Sequence, residues 1–190
     1  MIKHLKPALI LFLALSVLTG VVYPLVVTVL AQAIFPEKAE GSLLTDGKGK
    51  VIGSELIGQS FSEPRYFWGR PSATSPNAYN AAASSGSNLG VNNPALVDAV
   101  KARIEALKAV DPENKTPVPV DLITASGSGL DPHISIAAAN YQLNRVAKAR
   151  HVSPEKIRAL IEQNTQSRQL GFLGEPSVNV LTLNLALDGI

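Results

Sequence analysis

The chain has no cysteine, few aromatics and, from Ala8 to Phe35, not one charged residue. Each absence excludes something. Without cysteine there is neither a disulfide framework nor a thiolate metal site, and that lack fits any redox compartment. Lys3 and Lys6 supply the formal net charge of +2, and beyond them basic and acidic residues balance. A nucleic-acid binder needs a basic surface to neutralise phosphates, so no nucleic-acid partner is expected. Catalytic signatures are missing too. There is no G-x-x-x-x-G-K phosphate loop, no G-x-S-x-G nucleophile elbow, no T-V-G-Y-G potassium filter, no EF-hand and no aspartyl-phosphate motif. Beyond the uncharged run the histidines are His133 and His151, without paired ligand spacing, so no metal is expected.

What is present starts with the uncharged run. A helix rises about 1.5 Å per residue and the hydrocarbon core is about 30 Å thick, so roughly 20 residues cross it. Ala8–Phe35 exceeds that length and reads as a transmembrane helix. A cleaved signal peptide is the competing reading, because Lys3 and Lys6 make a basic start and Ala31-Gln32-Ala33 fits a small-x-small cleavage site. Signal cores run to about 7–15 apolar residues, however, and this one is far longer, which favours an anchor. Lys3 and Lys6 precede the span, whereas Glu37, Lys38 and Glu40 follow it. The positive-inside rule then places residues 1–7 in the cytoplasm, 8–35 in the membrane and 36–190 outside as one domain, which in a bacterial cell means the inner membrane and its periplasmic face. Pro24 has no N–H to offer the carbonyl of Gly20, so a kink is expected there. Thr19, Gly20, Tyr23 and Pro24 form a small, polar patch suited to docking on another membrane helix.

The expected fold class is α+β: one transmembrane helix, then a helix-dominated soluble domain with a small β-hairpin or sheet. Asp46-Gly47 between Ser42–Thr45 and Val51-Ile52 signals the hairpin. Ser60–Pro94 lacks periodicity and carries Tyr66-Phe67-Trp68-Gly69-Arg70-Pro71, either a binding surface or a polar loop with one aromatic anchored in the core. Asn93-Pro94 caps a helix whose Val97, Val100, Ile104 and Leu107 form an apolar stripe. Val118–Thr124 is a strand candidate and Thr124–Gly129 a loop. Helices are expected from near Ser135 to Arg150 and from Ser153-Pro154 to near Asn164. Val178–Asp188 fits a strand by alternation of its leucines, or a helix capped by Asn179; Leu and Ala propensities tip it towards helix.

Ser128, Asp131 and His133 are the residue types of a hydrolase triad, yet they fall within six residues, where a triad draws its groups from separate elements. Asp131-Pro132 reads more simply as a turn. An anchored, catalytically silent domain is most simply an accessory subunit.

Several words of the sequence are familiar. Ser54–Phe61, Tyr66–Ala73, Tyr79-Asn80, Ser85–Leu89, Thr124–Asp131, Arg145–Arg150, Val178–Leu181 and Thr19–Pro24 together resemble the potassium-transporting ATPase C subunit family, KdpC. The resemblance implies a subunit of a bacterial, high-affinity, ATP-driven potassium uptake complex. Its partners would be a channel-like potassium-binding subunit, a P-type ATPase subunit, a small membrane peptide and the lipid bilayer. It also implies a role in assembly and as a catalytic chaperone raising the ATP affinity of the ATPase subunit. ATP enters through the resemblance only, since no motif here holds a cofactor. The outer domain would cover the potassium entrance, with the Ser60–Asn93 loop and Ser126–Asp131 as contact surfaces. Within these, Tyr66, Trp68, Arg70, Ser85, Asn88, Ser126, Ser128 and Asp131 are the contact candidates. The alternatives are an anchored serine hydrolase and a cleaved periplasmic binding protein.

If the patch at Pro24 docks on a partner, Pro24→Leu should weaken co-purification of the chain with its complex. Undiminished co-purification would reduce the span to a plain anchor.

Overall fold

A computed structural model describes residues 2–189, in two units, one ending at Ile52 and the other starting at Gly53. In the first unit, α1 (Leu5–Val17), a π-helical turn (Leu18–Val22) and α2 (Tyr23–Ile34) run on as one apolar helix, Leu5–Ile34, of 30 residues. Its mean hydropathy is 2.5 and none of it is buried. At about 1.5 Å per residue that length spans a bilayer core with room for tilt. The break expected at Gly20–Pro24 takes the form of a widened turn. The Tyr23 N–H donates to Leu18 O, five residues back. The ring of Pro24 crowds the carbonyl one turn back, and a π turn accommodates that crowding without breaking the helix. Thr19 Oγ1 donates to Leu15 O at 2.8 Å in the same stretch.

After the short α3 (Pro36–Ala39), β1 (Leu43–Thr45) and β2 (Val51–Ser54) form the expected hairpin. Asp46 organises its turn by accepting the N–H groups of Lys48 (2.8 Å) and Lys50 (2.9 Å) on Oδ1.

The second unit is helix-rich. Asn93 caps α4 (Pro94–Val110) through Ala95 N–H, as the sequence indicates. Of the apolar stripe on α4, Leu107 alone is buried, and Val97 stays exposed. The strand expected at Val118–Thr124 is a 3-10 turn, Val120–Leu122. Pro117 and Pro119 flank it without N–H donors, and the N–H groups of Ile123 and Thr124 fold back onto Val120 O. A three-stranded antiparallel sheet, whose strands the sequence does not mark, comes next. Its strands are β3 (His133–Ser135), β4 (Thr165–Gln166) and β5 (Ser177–Asn179), in the order β3-β5-β4. Ile134 faces Val178 in the β3–β5 register, and Thr165 faces Val178 across β4–β5.

The helices α5 (Ile136–Arg150), α6 (Pro154–Gln163) and α7 (Val180–Asp188) contribute to one core with this sheet. Ala139, Leu143, Val146 and Ala147 of α5 and Ile157, Leu160 and Ile161 of α6 are buried as their spacing requires. The leucine-rich end resolves as helix: Leu181, Leu183 and Leu187 are buried while Leu185 is exposed, a pattern that strict alternation cannot give. Asn179 caps it, accepting from Leu181 N–H (3.0 Å) and Thr182 N–H (3.2 Å), and its Nδ2 donates to Glu55 O at 2.8 Å.

Asn179→Ala removes a cap and strands the Glu55 carbonyl, so it should cost about 1–3 kcal/mol of stability. Thermal or denaturant unfolding of the detergent-solubilised chain measures it.

Candidate interaction site around Tyr66–Arg70 and Ser126–Asp131

The Tyr66–Arg70 segment runs through the second unit without belonging to a sheet. The backbone groups of its two buried aromatics, Phe67 and Trp68, are nevertheless all paired. Phe67 N–H donates to Asn184 Oδ1 and Phe67 O accepts from Asn184 Nδ2, both at 2.9 Å. Trp68 N–H donates to Gln142 Oε1 at 2.8 Å and Trp68 O accepts from Gln142 Nε2 at 3.1 Å. Two buried side-chain amides, from α7 and α5, thus replace the strand neighbours that an extended segment needs. Phe67 and Trp68 are thereby fixed in the core.

Two guanidiniums, of Arg103 and Arg145, lie over the Trp68 ring, each 5.2 Å from its centroid. Their N–H groups go to neutral acceptors. Arg103 donates to Leu122 O (2.9 Å) and Gly69 O (2.8 Å). Arg145 donates to Pro64 O and to Gln142 Oε1 (2.7 Å for the latter). Among the described residues neither forms an ion pair. Burial pushes the Arg145 pKa down to about 10; Asp111 works against the shift and Arg103 adds to it. It stays charged at neutral pH, so the core holds a cation satisfied by one backbone carbonyl, an amide and a ring face.

Arg70 leaves the segment towards the second half of the site. It pairs with Asp131 at 3.2 Å and donates to Ala125 O at 3.3 Å. Asp131 Oδ1 accepts the His133 N–H at 3.0 Å and lies 3.4 Å from His133 Nδ1. Burial acts to raise the Asp131 pKa, but the His133 hydrogen bonds and the Arg70 charge outweigh it and leave it below the ordinary value. Tyr79 donates its OH to Arg70 O at 2.6 Å, and burial raises its pKa. The serine-rich stretches lie side by side. Ser84 Oγ donates to Ser128 O at 3.0 Å, and Ser72 Oγ to Gly129 O at 2.6 Å. A Cβ on Gly86 would sit 2.8 Å from Gly127 O, and one on Gly129 (φ +69°) 2.7 Å from Ser85 O. The glycines are there because two backbones meet.

The sequence candidates therefore divide. Trp68 and Ser126 are buried. Tyr66 is tied to the C-terminal helix, its OH donating to Asp188 Oδ2 at 3.0 Å beneath the Arg150 guanidinium. Arg70 and Asp131 are half-buried and paired with each other. Ser85, Asn88 and Ser128 are the exposed ones. Ser128 Oγ accepts Leu130 N–H at 3.1 Å, and no hydrogen bond joins it to His133 among the described residues, so the triad geometry is not assembled. Gln142, Asn184 and Arg145 went unread in the sequence, although each falls on the apolar face of its helix. Among the described residues no group of three or more His, Cys, Asp or Glu could hold a metal.

Comparison with known proteins gives this arrangement a family context. The family model "KdpC: K+-transporting ATPase, c chain" matches residues 5–189. The chain belongs to the KdpC family. A protein of Dechloromonas aromatica named "Potassium-transporting ATPase KdpC subunit" is 63% identical over 186 residues, covering 98% of this chain and 97% of its own. Its namesake in Methylococcus capsulatus is 62% identical over 190 residues, with both chains covered in full. That of Herpetosiphon aurantiacus is 62% identical over 185 residues, covering 97% and 95%. The KdpC match takes in the apolar helix as well as the soluble unit, so the helix is part of the family's own architecture.

Gln142→Leu should leave the Trp68 N–H, the Trp68 carbonyl and one Arg145 donor unpaired in the core. At about 1–3 kcal/mol per buried group it should cost about 3 kcal/mol or more, read by unfolding of the full chain in detergent. Asp131 carries the pH dependence. Its folded pKa lies below the ordinary value of 3.8, so its contribution is complete above the unfolded pKa and is lost as pH falls through the depressed one. Asp131→Asn should cost about 1 kcal/mol at neutral pH, the side chain being 31% exposed, and flatten the fall in melting temperature between about pH 5 and pH 3.

Proposed function

We propose that the chain is an accessory subunit, without catalytic activity of its own, of an ATP-driven potassium uptake complex. The observation carrying this is the family match over residues 5–189, which includes the membrane-length helix. In this reading the helix anchors the subunit in the inner membrane with residues 1–7 in the cytoplasm. Residues 36–190 lie on the outer face, over the potassium entrance of a channel-like subunit. A P-type ATPase subunit and a small membrane peptide complete the complex.

The exposed Ser85, Asn88 and Ser128 are the proposed contact points of the outer domain, and Arg70–Asp131 the pair that holds their two segments in register. Thr19, Gly20, Tyr23 and Pro24 are the proposed docking patch within the membrane. Their support is the widened turn, which presents Gly20 and the Thr19 side chain at an irregular point of an otherwise smooth helix. A catalytic-chaperone role, raising ATP affinity in the ATPase subunit, would act as a coupling free energy between sites on opposite sides of the bilayer. The nucleotide itself would be held by the partner.

Removal of residues 37–190 should abolish growth on scarce potassium in a strain dependent on this system, while the full chain restores it. The hydrolase is tested apart from growth: the purified chain should cleave no activated ester, and Ser128→Ala should leave that result unchanged. Growth without residues 37–190 would sink the accessory role; ester cleavage that disappears with Ser128→Ala would reopen the hydrolase.

A further inference from the structure

The segment joining β4 to β5 takes no part in the Tyr66–Asp131 site, and it carries the densest exposed apolar cluster of the second unit. Leu170, Phe172 and Leu173 expose 83%, 68% and 48% of their surface. Other large apolar residues exposed in this unit, such as Leu56, Val91 and Val120, stand singly. Scattered apolar residues are ordinary on a soluble surface, but three within four positions mark a contact.

The tip is a built feature. Gln169 and Leu173 exchange N–H···O bonds of 2.9 Å in both directions, and Gly171 N–H donates to Arg168 O at 3.2 Å. Arg168 and Glu175 close the base with an ion pair of 2.5 Å. Leu170 sits at φ +52°, beside Gly171 at φ +82°. A leucine in the left-handed region is disfavoured and persists where the surrounding turn over-determines it. The backbone thus holds three apolar side chains outward on an uncharged tip, Gln169–Gly174, above a charged collar.

We propose that this tip inserts into the headgroup–acyl boundary of a bilayer. Three arguments select lipid over a protein partner. The first is area: these side chains offer roughly 400 Å², about half of the ~800 Å² that each side of a stable protein interface contributes. The second is chemistry. An apolar, uncharged end with an Arg–Glu pair behind it matches the step from acyl chains to headgroups. The third is tethering. The chain carries its own membrane-length helix, so insertion is intramolecular and a shallow, weak contact suffices. This inference rests on the reading of Leu5–Ile34 as a membrane anchor.

The test places a tryptophan at the tip. Phe172→Trp keeps an exposed aromatic, and the native Trp68, buried at 5%, supplies a constant background. The full chain is reconstituted into nanodiscs of phosphatidylethanolamine and phosphatidylglycerol, with and without brominated acyl chains. The added emission is expected to be quenched severalfold more than that of Trp68 by bromolipid and to resist aqueous iodide. Adding Leu170→Asp should abolish that quenching with the melting temperature unchanged. An added tryptophan quenched by iodide and untouched by bromolipid would overturn the proposal. So would one shielded only in the presence of the other subunits, which would assign the tip to a protein partner. Failure of the chain to enter nanodiscs at all would instead overturn the anchor reading on which the proposal stands.

Discussion

Two buried amides hold the soluble unit together. Gln142 and Asn184 each bond both backbone groups of one residue, Trp68 and Phe67, and so act as a pair of one-residue strands. An extended segment in a core has four polar groups per two residues to satisfy, and leaving them dry would cost more than burying both aromatic rings returns. By meeting all four, α5 and α7 allow a chain with few aromatics to commit two of them side by side to its core. The long irregular stretch from Ser60 to Pro94 is anchored in the core at this clamp, and Tyr66–Asp188, Arg70–Asp131, Ser72–Gly129 and Ser84–Ser128 tie it down on either side.

The clamp has electrostatic consequences. Gln142 also accepts from Arg145, which lies with Arg103 over the Trp68 ring. A buried guanidinium without a carboxylate is costly unless its donors and its face are occupied. Here carbonyls, an amide and the indole occupy them. The next charge along, Arg70, is half-buried and meets Asp131, which bridges to His133 at the start of β3. The order clamp, buried cations, ion pair, exposed serine loops leads from the core to the surface proposed to meet the rest of the transporter.

The helices were legible in the sequence because their starts are marked by chemistry. Asn93, Ser135, Ser153 and Asn179 each stand directly before a helix and accept an N–H from its first turn. The apolar span was legible by length alone. The sheet was not: β3 and β5 have three residues and β4 two, too few for alternation to register, and His133 pairs with Asn179 far along the chain. Val118–Thr124 misled through its β-branched residues, overridden by the flanking prolines. In the site, Arg70 and Asp131 could be named as candidates, but their pairing is a tertiary fact. Gln142 and Asn184 were missed because helical polar residues are ordinarily solvated. The signal was their spacing: Ala138, Gln142 and Val146 fall on one face of α5, and Val180, Asn184 and Leu187 on one face of α7.

In the proposed topology one helix separates a short cytoplasmic start from an outer domain that helps a transporter from outside. The absence of native cysteine makes the direct measurement clean. Single cysteines at Lys3 and at the exposed Ser87 are treated with a membrane-impermeant maleimide, applied to spheroplasts and to inside-out vesicles. The account requires Ser87→Cys to label in spheroplasts alone and Lys3→Cys in inside-out vesicles alone. The reverse pattern would place the soluble unit beside the cytoplasmic ATPase site and contradict the account.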